Sequence, residues 1–226
     1  MKTWIKICGT TNLVDALAAS QAGADAVGFI FAESPRRIEP EVAGDIVQEL
    51  PEPLEKIGVF VNESAEYVLQ VAREAGLTGI QLHGDESPDY VKTLVSLVHE
   101  PLKIIKAIPA AVGRSGGLGE FGGGEDLVDA IMVDSGTRTM RGGTGKPFDW
   151  LSASDFILGL QETVPVVIAG GLRPENVTAA VCMFRPFGVD VVTGVEREHG
   201  RKDHERLRRF IANVREADCA GSERKQ

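Results

Sequence analysis

The chain has 226 residues, 43% of them hydrophobic, and carries a formal net charge of -9. That size suits one large domain with a full core, and the acidic balance argues against nucleic acid or a membrane surface as partner. The three cysteines, Cys8, Cys182 and Cys219, have neither paired nor metal-type spacing, which argues against a disulfide framework and points to a reducing, cytoplasmic setting. No secretory signal is visible before the first strand, and no apolar run approaches the ~20 residues of a membrane span.

The first strand is expected over 4–8 and ends in Lys6-Ile7-Cys8-Gly9. Asn12 then caps a helix with Leu13, Ala16 and Leu17 on its apolar face. A second strand over 26–31 leads to a helix that Pro40 opens at its first turn, with Val42, Ile46, Val47 and Leu50 on one face. The third strand, 56–61, precedes a helix capped by Ser64 and stopped at Gly76. The fourth, 79–82, precedes a helix starting at Ser87-Pro88. The fifth, 103–107, has no matching helix: residues 113–124 are so rich in glycine, at about 1 kcal/mol each against alanine, that a loop is expected. The sixth strand, 130–134, is followed by a weak helical pattern from 149 to 160. The seventh, 165–169, precedes a helix started by Pro174. The eighth, 189–192, precedes a helix capped by Asp203, with Leu207, Phe210, Ile211 and Val214 on its core face.

Most of these strands lack polar alternation, as strands covered on both faces do. Eight strand–helix units with right-handed crossovers favour a closed α/β structure, an eight-stranded parallel (β/α) barrel of one domain over 1–217, with a polar tail over 218–226. No dinucleotide fingerprint follows the first strand.

In such a barrel the C-terminal strand ends build the active site. Cys8 sits at the first of them, either as a small buried thiol or as a base, with Lys6 on the same face to favour the thiolate. Asp134 ends the sixth strand after Ile131-Met132-Val133. It can cap the loop at Ser135, or act as a buried acid whose proton is held by a raised pKa. A thiolate and a carboxylic acid flanking one pocket suit proton transfer at a carbon next to an oxygen or nitrogen function. Gly170-Gly171 and Thr193-Gly194 follow strands seven and eight, where barrels bind phosphate through backbone N–H groups; ordinary tight turns are the plain alternative. Arg36 can hold a carboxylate in a two-pronged contact, whereas Arg37 reads as a solvated loop charge. His83 can polarise a substrate or simply hydrogen-bond the barrel rim. The run from Arg201 to Arg206 mixes signs and reads as a solvated helix face.

These residues resemble the phosphoribosylanthranilate isomerase family of tryptophan biosynthesis. The matching pieces include Lys6-Ile7-Cys8-Gly9, Ser34-Pro35-Arg36, Gln81-Leu82-His83-Gly84, Gly142-Gly143-Thr144-Gly145-Lys146, Gly170-Gly171-Leu172, Gly188-Val189-Asp190 and Gly194-Val195-Glu196, in family order. The resemblance implies an Amadori rearrangement with Asp134 as general acid and Cys8 as general base. It also implies substrate binding by Arg36, His83, Gly143, Gly170, Gly171, Asp190, Thr193 and Gly194. Arg36 would take the anthranilate carboxylate, and loops seven and eight the phosphate. It implies no metal or organic cofactor, a small phosphosugar-anthranilate substrate, and a monomer or homodimer. Four positions depart from the family pattern: Val192, Thr193 and Ala169 replace common serines, and Pro147 a common threonine. Another phosphosugar barrel isomerase, or a non-catalytic protein binding a phosphate ligand, stays open as an alternative.

Overall fold

The structure is a computed structural model that describes residues 2–110, 127–135 and 149–223, the side chains of 221–223 excepted. Eight parallel strands close a barrel in sequential order: β1 (Trp4–Ile7), β2 (Ala26–Ile30), β3 (Glu55–Phe60), β4 (Gly79–Leu82), β5 (Lys103–Pro109), β6 (Ala130–Asp134), β7 (Val166–Ile168) and β8 (Gly188–Val191). Closure comes from β1 pairing with β8, where Lys6 stands opposite Asp190.

The absence of polar alternation has its cause in two cores. On β1, Ile5 and Ile7 pack outward with helix residues such as Ala16, Val68 and Phe210. Trp4 instead joins Ala26, Ile57, Ile105, Met132 and Val167 in an interior cluster. Each fully buried Ile, Phe or Val contributes about 1.5–3 kcal/mol against exposure. Above that apolar layer the inward positions turn polar, with Lys6, Gln81, Asp134 and Asp190 all buried.

The outer layer contains α1 (Leu13–Ala22), α2 (Pro40–Gln48), α3 (Ala65–Glu74), α4 (Pro88–Leu97), α5 (Trp150–Gln161), α6 (Val177–Phe184) and α7 (His204–Glu223). Asn12, Ser64, Ser87 and Asp149 each accept a backbone N–H at a helix start, so the weak 149–160 pattern is a capped helix. Asp203 likewise accepts from the N–H groups of Glu205 and Arg206. Two expectations shift. Pro174 does not open α6: residues 174–176 form a turn, in which Asn176 Oδ1 accepts from Arg173 N at 2.8 Å, and the helix begins at Val177. The expected tail boundary at 217 falls inside α7, where Asp218 accepts from the N–H and hydroxyl of Thr3 at 3.0 and 2.6 Å.

An unexpected two-stranded hairpin, β9 (Glu196–Glu198) with β10 (Arg201–Lys202), lies between β8 and α7. The glycine-rich stretch 113–124, the segment 142–146 and Pro147 lie outside the described residues. Among the described residues no helix is long and apolar enough to cross a membrane.

Candidate active site

A cavity of about 750 Å³ opens at the C-terminal ends of the barrel strands. Cys8, Arg36, His83 and Asp134 line it, as do Gly170, Gly171, Asp190, Thr193 and Gly194. One cavity therefore gathers the candidates from six different strand ends. Gly143 lies outside the described residues.

Cys8 continues the β1 ladder, its N–H donating to Val191 O at 2.9 Å. Its thiol is buried against Gly28 of β2: a Cβ on Gly28 would lie 2.6 Å from Sγ and 3.1 Å from Lys6 Nζ. Lys6 is thus beside the thiol, as expected, but it does not win the electrostatic contest. Burial pushes the Cys8 thiol pKa up; Asp190 adds to that, while Lys6 and Lys202 oppose it. The expectation of a favoured thiolate is corrected accordingly, because a fully buried sulfur loses more from leaving water than the ammonium returns.

The Lys6 ammonium is itself committed. It donates to Asp190 Oδ1 and Gln81 Oε1, each at 2.8 Å. Burial works against its charge, yet Asp190 and Cys8 outweigh burial and its pKa is raised. Asp190 lines the cavity, but its carboxylate serves this buried pair as well.

Asp134 ends β6 with its carboxyl buried. Its Oδ2 lies 3.2 Å from His83 Nε2, and Ser135 Oγ donates to Oδ1 at 3.3 Å. His83 Nδ1 meets Gln81 Nε2 at 2.9 Å. The Asp134 carboxyl thus both contacts the loop at Ser135 and lies buried at the cavity wall. Gly170, with φ +76°, presses on that carboxyl: a Cβ there would lie 2.6 Å from Asp134 Oδ1 and clash with Ser135 N. Only glycine allows loop seven this conformation and this approach.

Arg36 is not free. Its Nε and Nη2 donate to Glu196 Oε1 and Oε2 at 2.8 and 2.6 Å, and Nη2 also reaches Thr193 Oγ1 at 3.3 Å. The fork leaves Nη1 outside the Glu196 contact. Lys202 is the larger correction. It belongs to β10 rather than to a solvated helix face, and its buried Nζ donates to Cys8 O at 2.6 Å and Glu196 Oε1 at 3.2 Å. Burial and the Arg36 charge lower the Lys202 pKa against the opposing pull of Glu196 and Cys8. Burial alone would raise the Glu196 pKa, but Arg36 and Lys202 hold it below the usual carboxylate range. Arg37, by contrast, is solvated as expected, 3.6 Å from Glu39 on the surface.

Gln81, Glu196 and Lys202 are functional candidates that residue-type reasoning passed over. Gln81 and Glu196 sat inside the motifs that carry the resemblance, and the mixed charges around Lys202 masked it. Among the described residues no three His, Cys, Asp or Glu side chains gather as a metal-binding set.

The arrangement offers a thiol and a carboxyl for proton transfer, an arginine edge for a carboxylate, and two glycine-bearing loops for a phosphate. A family profile described as N-(5'-phosphoribosyl)anthranilate (PRA) isomerase matches residues 5–213. A relative from Trichlorobacter lovleyi named N-(5'-phosphoribosyl)anthranilate isomerase is 41% identical over 217 residues, 94% of this chain and 98% of its own. One from Desulforudis audaxviator with the same name is 43% identical, covering 95% of this chain and 99% of its own. The crystal structure of phosphoribosyl anthranilate isomerase from Thermotoga maritima superposes with a TM-score of 0.80 at 40% identity, over 95% of this chain and 99% of that one. Another solved structure of such an isomerase, in complex with reduced 1-(o-carboxyphenylamino)-1-deoxyribulose 5-phosphate, gives a TM-score of 0.76 at 37% identity, with the same coverage.

Proposed function

The chain belongs to the N-(5'-phosphoribosyl)anthranilate isomerase family, and we propose that its cavity carries out the Amadori rearrangement with Asp134 as acid and Cys8 as base. The substrate is N-(5-phosphoribosyl)anthranilate and the product 1-(2-carboxyphenylamino)-1-deoxyribulose 5-phosphate, a step of tryptophan biosynthesis. The observation that carries this reading is that one cavity is lined by Cys8, Asp134, Arg36 and both glycine-bearing loops.

Asp134 gives its proton to the ribose ring oxygen. The C1–O bond breaks, and the anthranilate nitrogen supplies the electron pair of the resulting Schiff base. The Cys8 thiolate then takes the proton from C2, whose C–H electrons become the C1=C2 bond of an enolamine. That species tautomerises to the ketone. Asp134 finishes as carboxylate and Cys8 as thiol, so one proton returns from Cys8 to Asp134 through solvent before the next turn.

Arg36 receives the anthranilate carboxylate on the edge that Glu196 leaves open. Gly170, Gly171, Thr193 and Gly194 receive the phosphate. Thr193 retains a hydroxyl that Val192 lacks. His83 and Asp190 support the reacting groups from within the cavity wall. The enzyme acts on a small molecule in the cytoplasm; three cysteines without paired or metal-type spacing support that setting.

The test mixes purified protein with freshly generated substrate and follows loss of anthranilate fluorescence, coupled to the next pathway enzyme. Turnover by the wild type that disappears in Asp134→Ala is expected. Absence of wild-type turnover, with tight binding of the reduced product analogue, would leave only a binding protein.

A further inference from the structure

We infer that Gln81 is a positioning residue that joins the base side of the cavity to its acid side, by fixing which ring nitrogen of His83 carries the proton. The inference rests on the reading of Asp134 as the acid.

The argument starts at Lys6. An ammonium has donors and no acceptor. Gln81 meets it at 2.8 Å, so the amide must turn its oxygen to Lys6. The amide NH2 then faces His83 Nδ1 at 2.9 Å. An NH2 can only donate, so Nδ1 is the bare, accepting nitrogen and the ring proton of His83 resides on Nε2. Nε2–H in turn points at Asp134 Oδ2, 3.2 Å away.

The direction of each link is thus set by the one before it. Flipping the Gln81 amide would set NH2 against the Lys6 ammonium. Water cannot repair that mismatch, because Lys6 is 0% and Gln81 2% exposed. The chain crosses the barrel from β1 through β4 to β6. At its start, Lys6 also donates to Asp190 and lies beside the Cys8 thiol.

Two consequences reach the chemistry. Asp134 Oδ2 accepts from His83, so the acidic proton of Asp134 is held on Oδ1, where the Ser135 hydroxyl can turn to accept it. After that proton leaves, Nε2–H remains a donor to the carboxylate left behind. His83 therefore orients and stabilises the acid, and does not take its proton through Nε2.

The experiment is 15N NMR of the labelled full-length protein. The His83 signals are assigned by their loss in His83→Gln. In the wild type, Nδ1 is expected to resonate as an unprotonated nitrogen and Nε2 as a protonated one; a protonated Nδ1 would overturn the inference. Gln81→Met should lose that preference and lower kcat about tenfold or more, with affinity for the reduced product analogue held within about threefold. Retention of the wild-type tautomer, or of wild-type kcat, would contradict it. Gln81→Glu keeps the shape and offers Nδ1 an acceptor, so Nδ1 should become protonated; a bare Nδ1 there also overturns the inference. The wild-type tautomer is read without turnover. A failure of the acid assignment, seen as full activity in Asp134→Asn, is therefore distinct from a failure of the Gln81 assignment.

Discussion

Arg36 grips Glu196 with two nitrogens, Nε to Oε1 at 2.8 Å and Nη2 to Oε2 at 2.6 Å, with each residue 6% exposed. This buried fork holds the guanidinium plane, and with it the edge offered to a substrate carboxylate. Lys202, bonded to both Glu196 and Cys8 O, ties that plane to the backbone of the proposed base.

Glu196→Gln is expected to raise KM about tenfold or more, which is about 1.4 kcal/mol of binding, and to change kcat by only a few fold. The amide puts an NH2 against the arginine donors and lets the guanidinium turn. Leaving Arg36 and Lys202 without their counter-charge should also lower stability by about 3–5 kcal/mol. Steady-state kinetics and thermal unfolding check both. An unchanged KM would remove Glu196 from carboxylate recognition.

Gly28→Ala is expected to damage the base without touching the substrate. The added methyl would sit 2.6 Å from Cys8 Sγ and 3.0 Å from Lys6 Cε, so both side chains must shift. Overpacking of this kind costs about 1–3 kcal/mol. A lower Tm together with a lower kcat is the expected pair; wild-type kcat would show that the position of Sγ has slack.

The pH profile follows from the buried thiol. In the proposed reaction the active form of Cys8 is the thiolate, and burial, reinforced by Asp190, raises its pKa. The rate at which a small thiol reagent alkylates Cys8, read by mass at that residue alone, follows the thiolate and should keep rising with pH through and beyond the ordinary thiol range near ~8.5. Lys202→Met removes a charge that lowers the Cys8 pKa, so its rise should lie at still higher pH. A profile already flat below neutrality would contradict the assignment.

Acid stability tests the carboxylates outside the chemistry. Burial alone would raise the pKa of Asp15 and of Asp25. The Lys202 N–H, Asn12 and His204 reverse this for Asp15, and Lys2, Arg215 and the Ile5 N–H do so for Asp25. Both folded-state pKa values are lowered. Their stabilisation is thus fully present above the unfolded value near ~3.9 and is lost as pH falls through the folded values. Tm should hold down to about pH 4 and then fall. Asp25→Asn should lower Tm at neutral pH and shrink that acid loss. A Tm unchanged between neutral pH and about 3 would show that these contacts add nothing.

Legibility in the sequence tracked how local each signal was. The strands are readable because a parallel strand covered on both faces has no polar alternation, and the expected bounds of β4 and β6 match the observed ones. The placement of Cys8 and Asp134 on one cavity is readable because each falls at the C-terminal end of a strand. Lys202 was not. Its burial depends on the hairpin β9–β10, which folds a mixed-charge run back onto Cys8 and Glu196. The Arg36 fork depends on Glu196, 160 residues away. Gln81 was legible only as part of a motif, because its donor and acceptor partners come from β1 and from the end of its own strand. Pro174 looked like a helix start, but Asn176 bonds back to Arg173 N and holds a turn there first.

The most direct test of the central claim is the kcat of Cys8→Ala on N-(5-phosphoribosyl)anthranilate, beside its affinity for the reduced product analogue. Loss of the base should lower kcat by about 10²–10⁴-fold while analogue affinity stays within about threefold of wild type. Turnover near the wild-type rate would contradict the claim that this thiol removes the C2 proton.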